Sequence, residues 1–446
     1  MMIRKWSVAL CVVSVAAVIG ILQTATVRSA SPDCSSDITC AWNDLALTTA
    51  RAAVLSDARS ARLLAMVNVA MYDAVNGILS RHGEKNDREA ALVSETGVQP
   101  RGNVGDAAAA AAHAVLSGEF PAFATQFPDG SPGYDPRLDA DLADHGGKKS
   151  DGAEWGASVG ARVRELRTGD SATIAQAAIP PPSPPGLFQP AWSGLNVKPF
   201  AIANPDMYVG SGPPAFDGLD YAAAFAEVKI VGDAAKPDAD KLDTFRFWSL
   251  GNGTSQPPGA WIQMALLVMK DSPATLTLGE KTRLLALLGM ALSDTVGPTT
   301  VTKAAFRHWR PTAAILGGDS DPNPYTEGQP TWLQRGTAAT SPEYWSGHSA
   351  FAGAGATVLS RFFCNDNIPI VGFQSDSAVA AGIAARSYPS FSAAAAEMGR
   401  SRIVGGLHFT FSNQDGLATG RAIAEEILAN KLLRTSGATH FGSCPR

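Results

Sequence analysis

The sequence predicts an all-α protein. Three observations carry this. Apolar residues recur at three- and four-residue spacing through most of the chain, and β-branched alternating runs are few. Ala and Gly are abundant, while charged residues make up only 17%. That composition favours closely packed helices joined by Pro/Gly-rich loops, and 446 residues suffice for a large core or two packed subdomains.

The first 29 residues read as a secretory signal. Arg4 and Lys5 form a basic start, an apolar stretch runs from Trp6 to Leu22, and TATVRSAS permits cleavage after Ser29. The apolar stretch is ~17 residues, at the short limit for a span. No other apolar run reads as a membrane crossing, so the expected mature chain is soluble and secreted or periplasmic. Formal charge is -5, which argues against a nucleic-acid surface. Cys11 leaves with the signal, and Cys34, Cys40, Cys364 and Cys444 remain. An even count in an exported chain fits two disulfides, in any of three connectivities; Cys34–Cys40 with Cys364–Cys444 is the preferred pairing.

Residues 41–79 read as helical, with apolar residues at Leu64, Val67, Met71 and Ala74 and a stop at Asn76-Gly77. Residues 105–120 form a second helix with Asp106 as its expected N-cap. A third lies before Gly169. IPPPSPPGLFQPAW, residues 179–192, is neither helix nor central strand, and it opens an irregular crossover to about Pro214. This places a signal at 1–29, an N-terminal helical subdomain at 30–215 and a C-terminal bundle at 216–446. Helical patterning returns at 219–231, 260–271, 278–294, 299–310, 347–363, 376–387, 390–404 and 415–433. No internal repeat is evident. Asp319, Asp321 and Asn323 alternate as in a calcium loop, but Pro324 and Pro330 stand where Gly and Glu are needed, so a turn-rich loop is expected.

Three segments could do chemistry. In KAAFRHWRP, Lys303 and Arg310 lie two helical turns apart on one expected face, ~10 Å between Cα atoms, with Pro311 ending the helix. Two such cations can converge on an anion, and the Arg fork suits a tetrahedral oxyanion. Arg307 is expected near that face, while His308 points away and reads as structural or surface. In SPEYWSGHSAFAGAGATVL, Ser346-Gly347-His348 precedes a helix of small residues, where unpaired N–H groups and the dipole favour an anion. His348 can move protons near neutral pH. In GRSRIVGGLHFTFSNQDG, Arg402 is a further oxyanion fork, and His408 follows two glycines as a potential ligand or nucleophile.

Taken in order, K-x6-R-P, S-G-H and S-R-x5-H resemble the three-part signature of the vanadium-dependent haloperoxidase and type 2 phosphatidic acid phosphatase superfamily. LLAMVNVAMYDAVNGI, the VKPF region, FRFW at 245–248 and WRPTAAI with its DPNPYT loop are similar to the bacterial haloperoxidase branch, over roughly residues 45–430. The resemblance implies two packed helical bundles. It implies that Lys303, Arg310 and Arg402 bind the equatorial oxygens of vanadate, or of phosphate in the same site. Ser346 and the Gly347 N–H would complete the cage, His408 would be the axial vanadium ligand, and His348 the general acid/base. Catalytic roles would fall to His348, Lys303 and His408.

The implied reaction is oxidation of a halide by hydrogen peroxide to a hypohalous acid equivalent, passed in some cases to an organic acceptor. The alternative is a secreted acid phosphatase in which His408 forms a phosphohistidine. The sequence departs from the pattern at Trp345, where Pro is usual, and at Ser412, where an aspartate often stands four residues beyond the ligand His. Asp415 is the next carboxylate. Halide preference is not legible, and the oligomeric state is open, a homo-oligomer included.

Overall fold

The computed structural model describes residues 34, 36–81, 88–271, 276–337 and 339–435. The expected signal at 1–29 and the Cys364–Cys444 pairing, through Cys444, lie outside the described residues. Cys34 and Cys40 are disulfide-bonded as preferred.

The described chain is helical with two short hairpins. The helices are α1 (Ile38–Ala52), α2 (Asp57–Ser80), α3 (Val104–Glu119), α4 (Tyr134–Asp141), α5 (Asp151–Leu166), α6 (Leu219–Val231), α7 (Ala239–Phe247), α8 (Gln256–Asp271), α9 (Leu278–Asp294), α10 (Val296–Phe306), α11 (Pro311–Leu316), α12 (Gly347–Phe363), α13 (Asp376–Ala381), α14 (Phe391–Val404) and α15 (Thr410–Asn430). Strands β1 (Ser171–Gln176) and β2 (Trp192–Val197) pair antiparallel with Ser171 opposite Val197. They bracket the Pro-rich stretch, which the sequence left as pure crossover. Strands β3 (Ile370–Phe373) and β4 (Arg386–Tyr388) form the second hairpin.

Several boundaries differ from expectation for local reasons. The 41–79 region is two helices, because Ser56 takes extended backbone and caps α2 through Arg59 N–H. Helix α2 does not stop at Asn76-Gly77. Gly77 is needed there because a Cβ would come within 2.6 Å of Trp155. Asn103, not Asp106, caps α3, accepting from Gly105 and Asp106 N–H. Helix α13 ends at Ala381, where Gly382 takes a left-handed conformation, so 376–387 is a short helix followed by a strand. Helix α7 was not expected at all; Asp238 caps it. The Asp319–Asn323 loop is a turn: Asp321 accepts from Asn323 N–H and Thr326 Oγ1, and Asn323 donates to the Phe216 and Gly218 carbonyls.

The Ala/Gly content is explained by helix contact. At α3–α5, a Cβ on Gly156 would meet the Ala107 carbonyl oxygen at 2.1 Å. At α12–α15, a Cβ on Gly420 would meet the Ala350 oxygen at 2.0 Å. Helix α2 packs on α1, α3 and α5, α12 packs on α14, α15 and α8, and both rest on α9. One apolar core runs through both sets. Helix α2 and the stretch 278–306 are long and apolar enough to cross a bilayer, which the sequence reading had not credited, but 83% and 89% of their apolar windows are buried inside the protein.

The two central helices use the same device. Asp73 on α2 accepts from the N–H groups of Ala91, Leu92 and Val93, and Asp294 at the end of α9 accepts from those of Phe200, Ala201 and Ile202. Each buried carboxylate pins an irregular segment that could not otherwise satisfy three successive donors. Asp294→Ala is expected to lower stability by roughly 2–4 kcal/mol, through donors left bare in the interior. Urea unfolding measures this, and a loss below about 0.5 kcal/mol would mean that those donors find other partners.

Candidate active site

Helix α10 ends at Phe306, earlier than the sequence suggested. Arg307 adopts a left-handed conformation with φ 45° and ψ 37°, costly for a non-glycine residue. Its guanidinium accounts for the turn by donating to the carbonyls of Phe188, Ala177 and Pro190 in the crossover. Arg307 therefore lies beyond the last helical residue and is tied to the crossover, where a continuous helix had been expected. The turn swings Arg310 into the extended N-cap position of α11, with Pro311 at N1. Lys303 and Arg310 do converge, but across a kink and not along one helix.

They converge on one carbonyl. Lys303 Nζ donates to the Pro342 oxygen at 2.6 Å and the Glu343 oxygen at 3.1 Å. Arg310 donates to the same Pro342 oxygen at 3.1 Å, to the Ser341 carbonyl at 2.8 Å and to the Leu407 carbonyl at 2.9 Å. Its Nη1 also lies 2.9 Å from His408 Nε2. Arg402, in the last turn of α14, lies with its guanidinium carbon 5.5 Å from the Phe245 ring centroid and donates weakly to the Trp248 carbonyl at 3.4 Å. Its Nε is buried with no hydrogen-bond partner among the described residues.

The electrostatics are unusual. Lys303, Arg310 and Arg402 are 7%, 8% and 7% exposed, and among the described residues none has a carboxylate within ion-pair distance. Buried Arg51, in contrast, makes two hydrogen bonds to Asp376 at 3.0 Å. Burial, then the neighbouring Arg310 charge, pushes the Lys303 ammonium well below its usual value. Burial also lowers Arg310 to about 10 and Arg402 to about 9. Uncompensated buried cations are costly and call for an anion.

His408 follows Gly405-Gly406. Gly406 has φ 75°, and a Cβ there would come within 2.9 Å of Trp332, so the close approach inferred from the two glycines is real. Arg310 can only donate, so His408 Nε2 presents its lone pair and Nδ1 carries the proton. That proton points to Glu343 Oε1 at 2.8 Å, with Ser412 Oγ 3.2 Å from the same nitrogen. Burial and the Arg310 charge bring His408 down to about 3, so the imidazole is neutral.

Glu343 is the residue that the sequence reading missed. It is fully buried and also accepts from Phe409 N–H at 3.0 Å. Burial alone would raise its carboxyl, but interactions with His308 and His408 hold it below the usual range. Its signal was a carboxylate three residues before Ser346 inside SPEYWSGH. It supplies the carboxylate that position 412 lacks, while Asp415 accepts from Tyr344 OH instead. His308 is structural as expected, but buried and not on the surface: it stacks on Phe216 and lies 3.4 Å from Glu343 Oε2. Trp345, also fully buried, sits in the apolar cluster with Trp309, Phe409 and Phe411.

Ser346 caps α12, accepting from Ser349 N–H, and Gly347 and His348 begin the helix partly exposed. A Cβ on Gly347 would meet only Thr299, at 3.7 Å, so open space lies before it. His348 Nε2 donates to the Ser249 carbonyl at 3.2 Å, which leaves Nδ1 to exchange protons. Burial, then the Arg402 charge, lowers His348 well below its usual value. The structure thus brings Lys303, Arg310, Arg402, Ser346, Gly347, His348 and His408 into one region. A cavity of about 350 Å³ reaches Lys303 and Ser341.

Residues 283–434, about a third of the chain, match the family model of the VCPO second helical-bundle domain. A bacterial vanadium-dependent iodoperoxidase superposes with a TM-score of 0.69, 19% identity, and coverage of 90% of this chain and 98% of that one. The fold is that of the vanadium haloperoxidases. An apo-type bacterial vanadium-dependent chloroperoxidase gives a TM-score of 0.60 at 13% identity, covering 84% of this chain and 93% of its own. The holo-type form gives 0.58 at 13%, covering 84% and 92%. No curated protein sequence matches. The vanadium-haloperoxidase fold accounts for the two helix sets resting on α9, and the matched segment contains all seven candidate residues.

Glu343→Gln is expected to weaken binding of inorganic phosphate roughly 10–100-fold, because His408 loses the partner that fixes its tautomer. Calorimetric titration with phosphate checks the affinity, and imidazole nitrogen shifts check the tautomer. Unchanged affinity with an unchanged tautomer would remove Glu343 from the site.

Proposed function

We propose that this protein is a vanadate-dependent haloperoxidase that oxidises a halide with hydrogen peroxide to a hypohalous acid equivalent. The observation that carries the reading is the set of three buried cations without carboxylate partners, gathered around a neutral imidazole. Such a donor set repels a bare metal cation and suits a tetrahedral oxyanion.

Vanadate fits on three counts. The Arg402 Nε lacks a partner among the described residues, the space before Gly347 is open, and His408 Nε2 is the unprotonated nitrogen. Lys303, Arg310, Arg402, Ser346 Oγ and the Gly347 N–H would hold its oxygens, and His408 Nε2 would ligate the vanadium. When bound, the group supplies Lewis-acid activation of peroxide.

The chain's own residues do the rest. Arg310 moves its N–H from His408 Nε2 to an anion oxygen, which frees the lone pair. Glu343 keeps the His408 Nδ1 proton in place and raises the basicity of Nε2. His348 takes a proton from peroxide at Nδ1 and returns it to the departing oxygen, its ring held by the Ser249 carbonyl. Lys303 withdraws electron density from the oxygen that the halide attacks. Burial of these groups removes the water that would otherwise screen them. Export to an oxidising compartment, secreted or periplasmic, is part of the proposal. The Cys34–Cys40 disulfide and the N-terminal signal pattern support it.

Phosphate-free protein supplied with orthovanadate, peroxide and bromide or iodide is expected to halogenate an activated diketone. Hydrolysis of phosphate esters with phosphate inhibition, and no halogenation, would install the phosphohistidine alternative. His408→Ala is expected to abolish vanadate retention, and His348→Ala to lower turnover by about 10²–10⁴ with much smaller effect on retention. Retention measured by dialysis separates the two roles. Equal loss in both variants would contradict the assignment.

A further inference from the structure

The cavity beside Lys303 has walls that oxyanion chemistry does not use. Besides Lys303 and Ser341, Asp57, Trp192, Asn252 and Phe351 line it. Asp57 opens α2. Its carboxylate accepts from Ala58 N–H at 2.7 Å, makes no ion pair among the described residues, and is solvent-exposed at the edge of the cavity. Asp57 and Lys303 line the same cavity and are close enough to feel each other's charge. Trp192 is 7% exposed, and Gly194 lies so close that a Cβ there would be 2.7 Å from the indole; the ring is fixed. Phe351 is 3% exposed.

Neither halide nor peroxide needs such walls. A carboxylate at the rim of a cleft works against anions there and favours cations. Fixed aromatic side chains favour a planar ring, and an indole face also attracts a cation. A volume of about 350 Å³ matches a small organic ligand and far exceeds a halide.

We propose that this cleft is the acceptor site for a cationic aromatic molecule, a phenol or indole carrying an ammonium group. The ammonium pairs with Asp57, and the ring lies by Trp192 and Phe351. The proposal rests on the haloperoxidase reading for its chemistry. The balanced step is Ar–H + X⁻ + H₂O₂ + H⁺ → Ar–X + 2 H₂O. Halide loses two electrons to peroxide, a C–X bond replaces the ring C–H bond, and the ring proton leaves to solvent.

Three probes share one ring and differ in charge: tyramine, p-cresol and 3-(4-hydroxyphenyl)propionate. Their binding to vanadate-loaded protein is measured without peroxide by saturation-transfer NMR and calorimetry. Tyramine is expected to bind about tenfold or more tightly than the propionate, the scale of one charge pair in a cleft. Asp57→Asn should collapse that preference, and Asp57→Lys should invert it. Far-UV circular dichroism and urea midpoints confirm that both variants are folded. With peroxide and bromide, the tyramine-to-propionate product ratio should exceed that given by reagent hypobromous acid at the same pH. Equal affinities, a preference untouched by either substitution, or a product ratio matching the free reagent would overturn the proposal. Selective tyramine binding that is lost in Asp57→Asn, but with no halogenation of any probe, would support the cleft's ligand class and remove the haloperoxidase reading instead.

Discussion

Three positive charges are buried at one place with no carboxylate at ion-pair distance among the described residues, and the surrounding structure is arranged around that fact. Lys303 and Arg310 donate mainly to backbone carbonyls and Arg402 only weakly to one, and among the described residues none of the three meets a carboxylate. Carbonyl oxygens relieve desolvation but do not cancel charge. Burial lowers the ammonium and both guanidinium groups and, with the neighbouring arginine charges, holds His348 and His408 below the usual imidazole range. A multivalent oxyanion relieves all of these at once. On the proposed reading the fold favours such a ligand, and binding should return that energy as stability.

Two short segments hold the cations. Ser341-Pro342-Glu343 supplies carbonyls to Lys303 and Arg310, and its Glu343 side chain fixes His408. The Glu343 N–H also donates to the His308 carbonyl, tying this segment to the turn after α10. Phe245 to Ser249 frames the opposite group: the Phe245 ring and Trp248 carbonyl hold Arg402, and the Ser249 carbonyl orients His348. Carbonyl contacts of this kind can be exchanged for an anion's oxygens without moving a helix. The aromatic cluster of Trp309, Trp345, Phe409 and Phe411 keeps water from the back of the site.

Much of this was legible in the sequence. The helical class follows from periodicity, and α6, α9 and α12 were read with their observed bounds, with side-chain caps from Thr277 and Ser346 opening α9 and α12. The seven candidate residues were legible as motifs because the proposed chemistry requires particular side chains at short spacings. What was not legible depends on tertiary contact. The break after Phe306 exists because Arg307 finds carbonyls in a crossover more than 100 residues earlier. Glu343 and His408 are 65 residues apart and meet only in the fold. The expected i+4 carboxylate therefore looked missing when it had been supplied from another segment. Asp73 and Asp294 likewise show their common role only through the segments they pin.

The most direct test of the central claim is a titration of phosphate-free protein with orthovanadate in the absence of peroxide and halide, followed by ⁵¹V NMR and by the thermal midpoint. The account predicts one vanadate bound per chain, competition by inorganic phosphate, a rise in midpoint on binding, and a much weaker interaction after Arg402→Ala. No saturable binding at millimolar vanadate, or binding indifferent to the loss of Arg402, would contradict it.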